Sequence, residues 1–155
     1  LHPRVRRQRQ MCIRDSINSF FASGEVDEIW ITFPDPQLKK QRVKKRLTSP
    51  QFLGYYAKFL KPDGVVHLKT DSRHLHEYTK AVIERNALPL LACGDDIYGT
   101  GMADTDLSIQ TAYERKFREQ GLPITYLRFM LGGRSEFEVP DFEEDDNLDA
   151  SQLGE

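Results

Sequence analysis

The chain has 155 residues, enough for one domain around a single core. With 39% hydrophobic and 30% charged residues it reads as a soluble globular fold, and it contains no apolar run long enough to cross a membrane. Twenty-two basic side chains against 24 acidic ones give a net charge of -2, so overall charge does not announce nucleic-acid binding. The distribution is uneven, with a basic ribbon near the front and a strongly acidic stretch at residues 136–149. Cys12 and Cys93 have neither metal nor redox spacing, which suits a reducing cytoplasm. Leu1 to Gln10 is followed by no apolar segment, so no signal peptide is read there.

Taken in order, residues 1–16 carry Arg4, Arg6, Arg7, Arg9 and Arg14 with almost no apolar pattern. Two readings compete: a basic, disordered arm that touches RNA, or non-native sequence read in frame, and the second is preferred. Ile17 to Ala22 fits a helix end stopped by Ser23-Gly24. Ile29, Trp30, Ile31 and Phe33 form a short apolar run, the mark of a strand buried on both faces of a parallel sheet. Pro34 and Pro36 end it and pin Asp35 in a rigid turn at the strand's carboxyl end, where open α/β sheets bind ligands. Lys39, Lys40, Arg42, Lys44, Lys45 and Arg46 follow with no acid among them, a place for a polyanion.

Ser49 and Pro50 signal a helix start, and Phe52, Tyr55, Tyr56, Phe59 and Leu60 mark one buried face. Lys61-Pro-Asp-Gly64 should close that helix and turn the chain. Val65 to Lys69 reads as a second strand. A strand-helix-strand crossover returns in the same direction, so Asp71 shares the rim with Asp35. Asp71 itself reads either as the N-cap of the next helix or as a ligand contact, with Ser72 able to cap in its place. That helix buries Leu75, Tyr78, Val82 and Ile83. His74 and His76 are two apart and diverge on a helix, and with His67 they are given no metal.

Leu88 to Ala92 is a candidate third strand. Residues 94–108 read as a surface loop, in which Asp95, Asp96, Asp104 and Asp106 fit no calcium-loop spacing. Thr111 to Glu119 suits a short helix, and Ile124 to Leu131 a closing strand ended by Gly132-Gly133. Residues 134–155 read as an acidic, disordered tail.

Phe33-Pro-Asp-Pro with Lys39, the basic cluster and Arg46-Leu-Thr48 resembles the signature of the tRNA (guanine-N7-)-methyltransferase family. Thr70-Asp71, Thr111-x-x-Glu114 and a last strand after Gly121 follow in the family's order. Gln37 departs from it, since the family most often has a ring there. The resemblance starts at about Ile17, and it implies that residues 17–133 are part of a methyltransferase domain. The implied fold is α/β, the second half of a doubly wound, Rossmann-like sheet whose last strand runs antiparallel. The family's glycine-rich loop and ribose-binding acid should lie upstream of Ile17, so the chain reads as a carboxyl-terminal fragment, inactive alone.

The resemblance further implies S-adenosyl-L-methionine as cofactor and tRNA as substrate. It makes Asp35 the catalytic and cofactor-binding residue. Lys39, Asp71, Thr111 and Glu114 become substrate-binding, and Arg42, Lys44, Lys45 and Arg46 RNA-binding. The chemistry agrees: guanine N7 carries a lone pair and needs no general base, so positioning matters most. Carboxylates can accept the N1-H and N2-H donors and stabilise the cationic product. A non-catalytic RNA-binding domain using the basic ribbon is the alternative. A methyltransferase acting on a small molecule or protein is a third, disfavoured by the ribbon.

Overall fold

The computed structural model describes residues 17–101 and 107–144. Among them are four strands, β1 (Val26–Thr32), β2 (Leu60–Thr70), β3 (Leu90–Gly94) and β4 (Thr125–Met130). Three α-helices, α1 (Pro50–Ala57), α2 (Arg73–Arg85) and α3 (Ala112–Glu119), connect them, with 3₁₀ helices at Ile17–Ser19 and Lys40–Lys45. The strands form one sheet in the order β1-β2-β4-β3. β1 and β2 run parallel, whereas β4 is antiparallel to both β2 and β3. This is the expected open α/β sheet of Rossmann-like kind, with its last strand reversed.

The start signals act as the sequence predicts. Ser49 Oγ accepts from the Phe52 N-H, with Pro50 opening α1, and Ser72 Oγ accepts from the Leu75 N-H to cap α2. Leu75, Tyr78, Val82 and Ile83 of α2 are buried with Leu53 and Tyr56 of α1 and with Val66, Leu68, Leu127 and Phe129 of the sheet. Burial of these side chains, worth about 1.5–3 kcal/mol each, holds the helices against the sheet. The parallel strands thereby deliver Asp35 and Asp71 to one rim.

Four expectations are corrected. β1 is an edge strand, and only its Ile31 is buried; Trp30 is 40% exposed and stacks on His67, with ring centroids 3.8 Å apart. Its pattern is apolar because the rings pair across strands, not because both faces are covered. Second, Lys61 to Gly64 does not leave the sheet. While β1 advances from Val26 to Glu28, its partner advances from Leu60 to Val65, so the Pro-Asp-Gly turn bulges within β2. A Cβ at Gly64 would lie 2.5 Å from the Leu60 side chain, which is why glycine stands there.

Third, the segment after β3 is more than a surface loop. Ile97 and Leu107 are buried in a second apolar cluster with Ile124 and Tyr126. Asp104 and Asp106 lie outside the described residues. Fourth, the tail is not disordered from residue 134. Arg134 donates to the Asn86 carbonyl, the Glu138 N-H donates to Asn86 Oδ1 at 2.7 Å, and Phe142 packs edge-on against His74 and Tyr78. Composition counted the acids and missed these apolar anchors. Residues 1–16 and 145–155, on which the remaining expectations fall, are outside the described residues. No helix among the described residues is long and apolar enough to cross a membrane.

Candidate functional site

The rim is built by two strand ends. β1 stops at Thr32, although the Phe33 N-H still donates to the Lys69 carbonyl at 2.7 Å and keeps the two chains in register. Pro34 and Pro36 cannot continue the ladder, and the chain turns. Both ends of the turn, Phe33 and Gln37, have positive φ, 49° and 48°. Without glycine this costs about 1–2 kcal/mol per residue, so the surroundings must impose it. Asp35 is exposed at the apex, and its Oδ1 accepts from the Gln37 N-H at 2.9 Å.

At the end of β2 the Thr70 hydroxyl accepts from the Ser72 N-H at 3.0 Å, and Ser72 in turn caps α2. Asp71 is therefore not the cap. It lies half-buried in the turn, where desolvation raises its carboxyl above the ordinary range. Asp35 and Asp71 line one cleft of about 540 Å³ with Phe33, Pro34, Leu38, His74 and Tyr113. The two carboxylates that the sequence assigned to one rim do converge.

Thr111 and Glu114, at the start of α3, are not among the cleft-lining residues and play different roles. Thr111 is exposed, and its hydroxyl caps α3 by accepting from the Glu114 N-H at 3.1 Å. Glu114 is fully buried: its Oε1 pairs with Lys69 Nζ at 2.7 Å and accepts from Tyr98 Oη at 2.5 Å. Lys69 Nζ also donates to the carbonyls of Leu107 at 2.7 Å and Ile109 at 3.3 Å, which uses all three donors. Burial and the Glu114 bond push the Tyr98 hydroxyl up to about 12. Glu114 Oε2 is buried with no hydrogen-bond partner among the described residues. Between the two, Tyr113 lines the cleft and packs on Phe33 at 5.6 Å. Sequence reasoning had passed over Tyr113, though it stands inside the Thr111-x-x-Glu114 motif.

The basic ribbon divides. Lys39, Arg42, Lys44 and Lys45 are exposed on or beside the 3₁₀ helix Lys40–Lys45. Arg46 is fully buried, so it is not presented to a phosphate with the others, and its grouping with them is corrected. The 3₁₀ turn ends there and rotates the side chain inward. It donates to the Pro36 carbonyl at 3.0 Å and the Gln37 carbonyl at 3.2 Å, and it pairs with both oxygens of Glu144 at 2.7 and 2.8 Å. Burial alone would raise the Glu144 carboxyl, but the bonds from Arg46 and His74 hold it below the usual range.

His74 and His76 diverge as expected. His74 Nε2 lies 2.9 Å from Glu144 Oε2, whereas His76 is buried with its Nε2 3.3 Å from Asp95 Oδ1 and 3.9 Å from Cys93 Sγ. The ligand atoms of His76, Glu77 and Asp95 fall within 4.8 Å of one another, because the end of β3 brings Asp95 against α2. No acidic cluster to complete a shell is read from the sequence here: Glu77 adjoins His76 in the chain, but Asp95 is brought to it only by the fold. This cluster is none of the cleft-lining residues.

Residues 10–127 match a family model described as "Putative methyltransferase", so the match begins before Ile17. A tRNA (guanine-N(7)-)-methyltransferase of Bacteroides thetaiotaomicron is 50% identical over 127 residues, which are 82% of this chain and 50% of that protein. The protein of the same name from Porphyromonas gingivalis is 51% identical over 129 residues, 82% of this chain and 52% of its own. That from Listeria monocytogenes is 38% identical over 104 residues, 67% and 47%. The chain spans about half the length of the curated relatives it matches. With the matched residues covering both strand ends of the rim, the chain belongs to this methyltransferase family.

Proposed function

We propose that the protein to which this chain belongs transfers a methyl group from S-adenosyl-L-methionine to N7 of a guanosine in tRNA, in the cytoplasm. The observation that carries the reading is the cleft shared by Asp35 and Asp71, beside the exposed cations Lys39, Arg42, Lys44 and Lys45. Relatives at half identity bear that activity as their name.

The cofactor would supply an electrophilic methyl on a sulfonium. The described residues suit part of it: Asp35 is an exposed carboxylate at the strand end, fit for a cationic group. The turns after the parallel strands, Phe33-Pro-Asp-Pro and Asp71-Ser-Arg, contain no glycine cradle for its remainder. In this reading Asp35 orients the reacting groups and Asp71 accepts donors from the guanine edge. Its raised carboxyl, already desolvated, gains from a partner. Glu114 Oε2 offers a further acceptor, Thr111 frames the approach, and Lys39 holds a neighbouring phosphate. Arg42, Lys44 and Lys45 supply sequence-independent backbone contacts.

A purely RNA-binding module would need the cations but not the paired carboxylates, and is disfavoured. Incubating the full-length protein with unmodified tRNA and labelled cofactor should yield N7-methylguanosine. Its absence from the digested product would refute the reading.

A further inference from the structure

The turn that carries Asp35 does not hold itself. Phe33 and Gln37 both sit at positive φ, and within the turn the Gln37 N-H donates to Asp35 Oδ1. Its near end is held by the Phe33 N-H on the Lys69 carbonyl, and its far end by a side chain. Arg46 reaches the carbonyls of Pro36 and Gln37 with Nε and Nη2, two successive acceptors on the far side of the apex. A guanidinium is suited to this because its donors form a rigid fork. Buried, it needs a counter-charge, and Glu144 gives one through both carboxylate oxygens from 98 positions along the chain. The guanidinium also lies 4.4 Å over the Tyr78 ring.

Glu144 is delivered by the segment after β4, which crosses α2. Asn86 holds that segment at Glu138 by two bonds, at 3.0 Å to its carbonyl and 2.7 Å from its N-H, and Phe142 seats against His74 and Tyr78. His74, within reach of Arg46 and Glu144, also lines the cleft. We propose that Arg46 and Glu144 are positioning residues for Asp35, so that the carboxyl-terminal strap sets the geometry of the rim. A buried arginine that served packing alone would have no need of two directed bonds to the turn's carbonyls. The consequence for catalysis rests on the methyl-transfer reading; the constraint on the turn does not.

The Gln37 amide is the natural reporter, since it donates to Asp35. Hydrogen exchange followed by NMR should show it accelerating about tenfold or more in Glu144→Gln and in Arg46→Lys, which keeps the charge and loses the fork. The core amides of Val82 and Phe129 should change less than twofold. Should the charge variants speed all three amides alike, Phe142→Ala decides, because it loosens the strap without orphaning a buried charge. Selective acceleration of Gln37 there supports the proposal, and uniform or no acceleration overturns it.

In the full-length protein, Arg46→Lys should lower kcat for methyl transfer about tenfold with KM for tRNA within twofold. Unchanged kcat beside a loosened turn would overturn the catalytic consequence. If the unsubstituted protein methylates nothing, the function reading fails while the exchange result stands.

Discussion

Two buried ion pairs, Arg46 with Glu144 and Lys69 with Glu114, differ in how fully they are satisfied; His74, which meets Glu144, and Tyr113, the chain neighbour of Glu114, both line the rim cleft. Both oxygens of Glu144 are engaged, and Arg46 distributes its donors over a carboxylate and two backbone carbonyls. Glu114 receives Lys69 and Tyr98 on one oxygen and leaves the other without a partner among the described residues. A saturated buried pair fixes geometry. An unsaturated one keeps a desolvated acceptor that a ligand's donor can fill, because a buried acceptor left unpaired costs about 1–3 kcal/mol. The first pair thus belongs to the scaffold of Asp35, and the second holds the spare acceptor that the proposed function assigns to the substrate.

Breaking either pair tests this directly. Lys69→Met leaves Glu114 buried without its cation, and urea unfolding should show a loss of about 3–5 kcal/mol. Glu144→Gln should cost less, about 2–3 kcal/mol, since Glu144 retains some solvent contact. Equal losses would erase the distinction.

Acidification sharpens it further. The folded Glu144 carboxyl is depressed, so its contribution is fully present above the ordinary carboxylate range and is lost as pH falls through its lowered folded value. The acid limb of the stability curve should flatten in Glu144→Gln and persist in a surface control such as Glu119→Gln. A limb unchanged by Glu144→Gln would mean that the strap does not carry this linkage.

A smaller effect separates Arg46 from its neighbours. Replacing Arg42, Lys44 and Lys45 by Ala should reduce the slope of log binding constant for tRNA against log salt by about 2–3 if each meets a phosphate, with stability changed by no more than about 0.5 kcal/mol. Arg46→Lys should do the opposite, costing stability and sparing the slope.

Local chemistry made much of this legible in the sequence. The cap at Ser49, the alternative cap at Ser72 and the buried face of α2 follow from short-range rules, whereas the Thr111 cap was not read and Phe59 and Leu60, assigned to the face of α1, lie beyond its end at Ala57. The parallel crossover placed Asp35 and Asp71 together before any distance was known. What could not be read was long-range. Arg46 looks like one more cation in a ribbon until Glu144 is brought to it, and Glu144 looks like one more acid in a tail. Trp30 likewise reads as core from its apolar run; that its strand stands at an open edge is expected for a chain lacking the preceding strands, but the exposure of the ring is not.

In the proposed function Asp35, held by this scaffold, is needed for the chemistry and not for the fold. The direct measurement is the single-turnover rate of methyl transfer by full-length Asp35→Ala at saturating tRNA, with its thermal unfolding recorded in parallel. The rate should fall about 100-fold or more, the scale of a removed transition-state contact, with an unchanged unfolding midpoint. A rate within a few fold of the unsubstituted protein would contradict it.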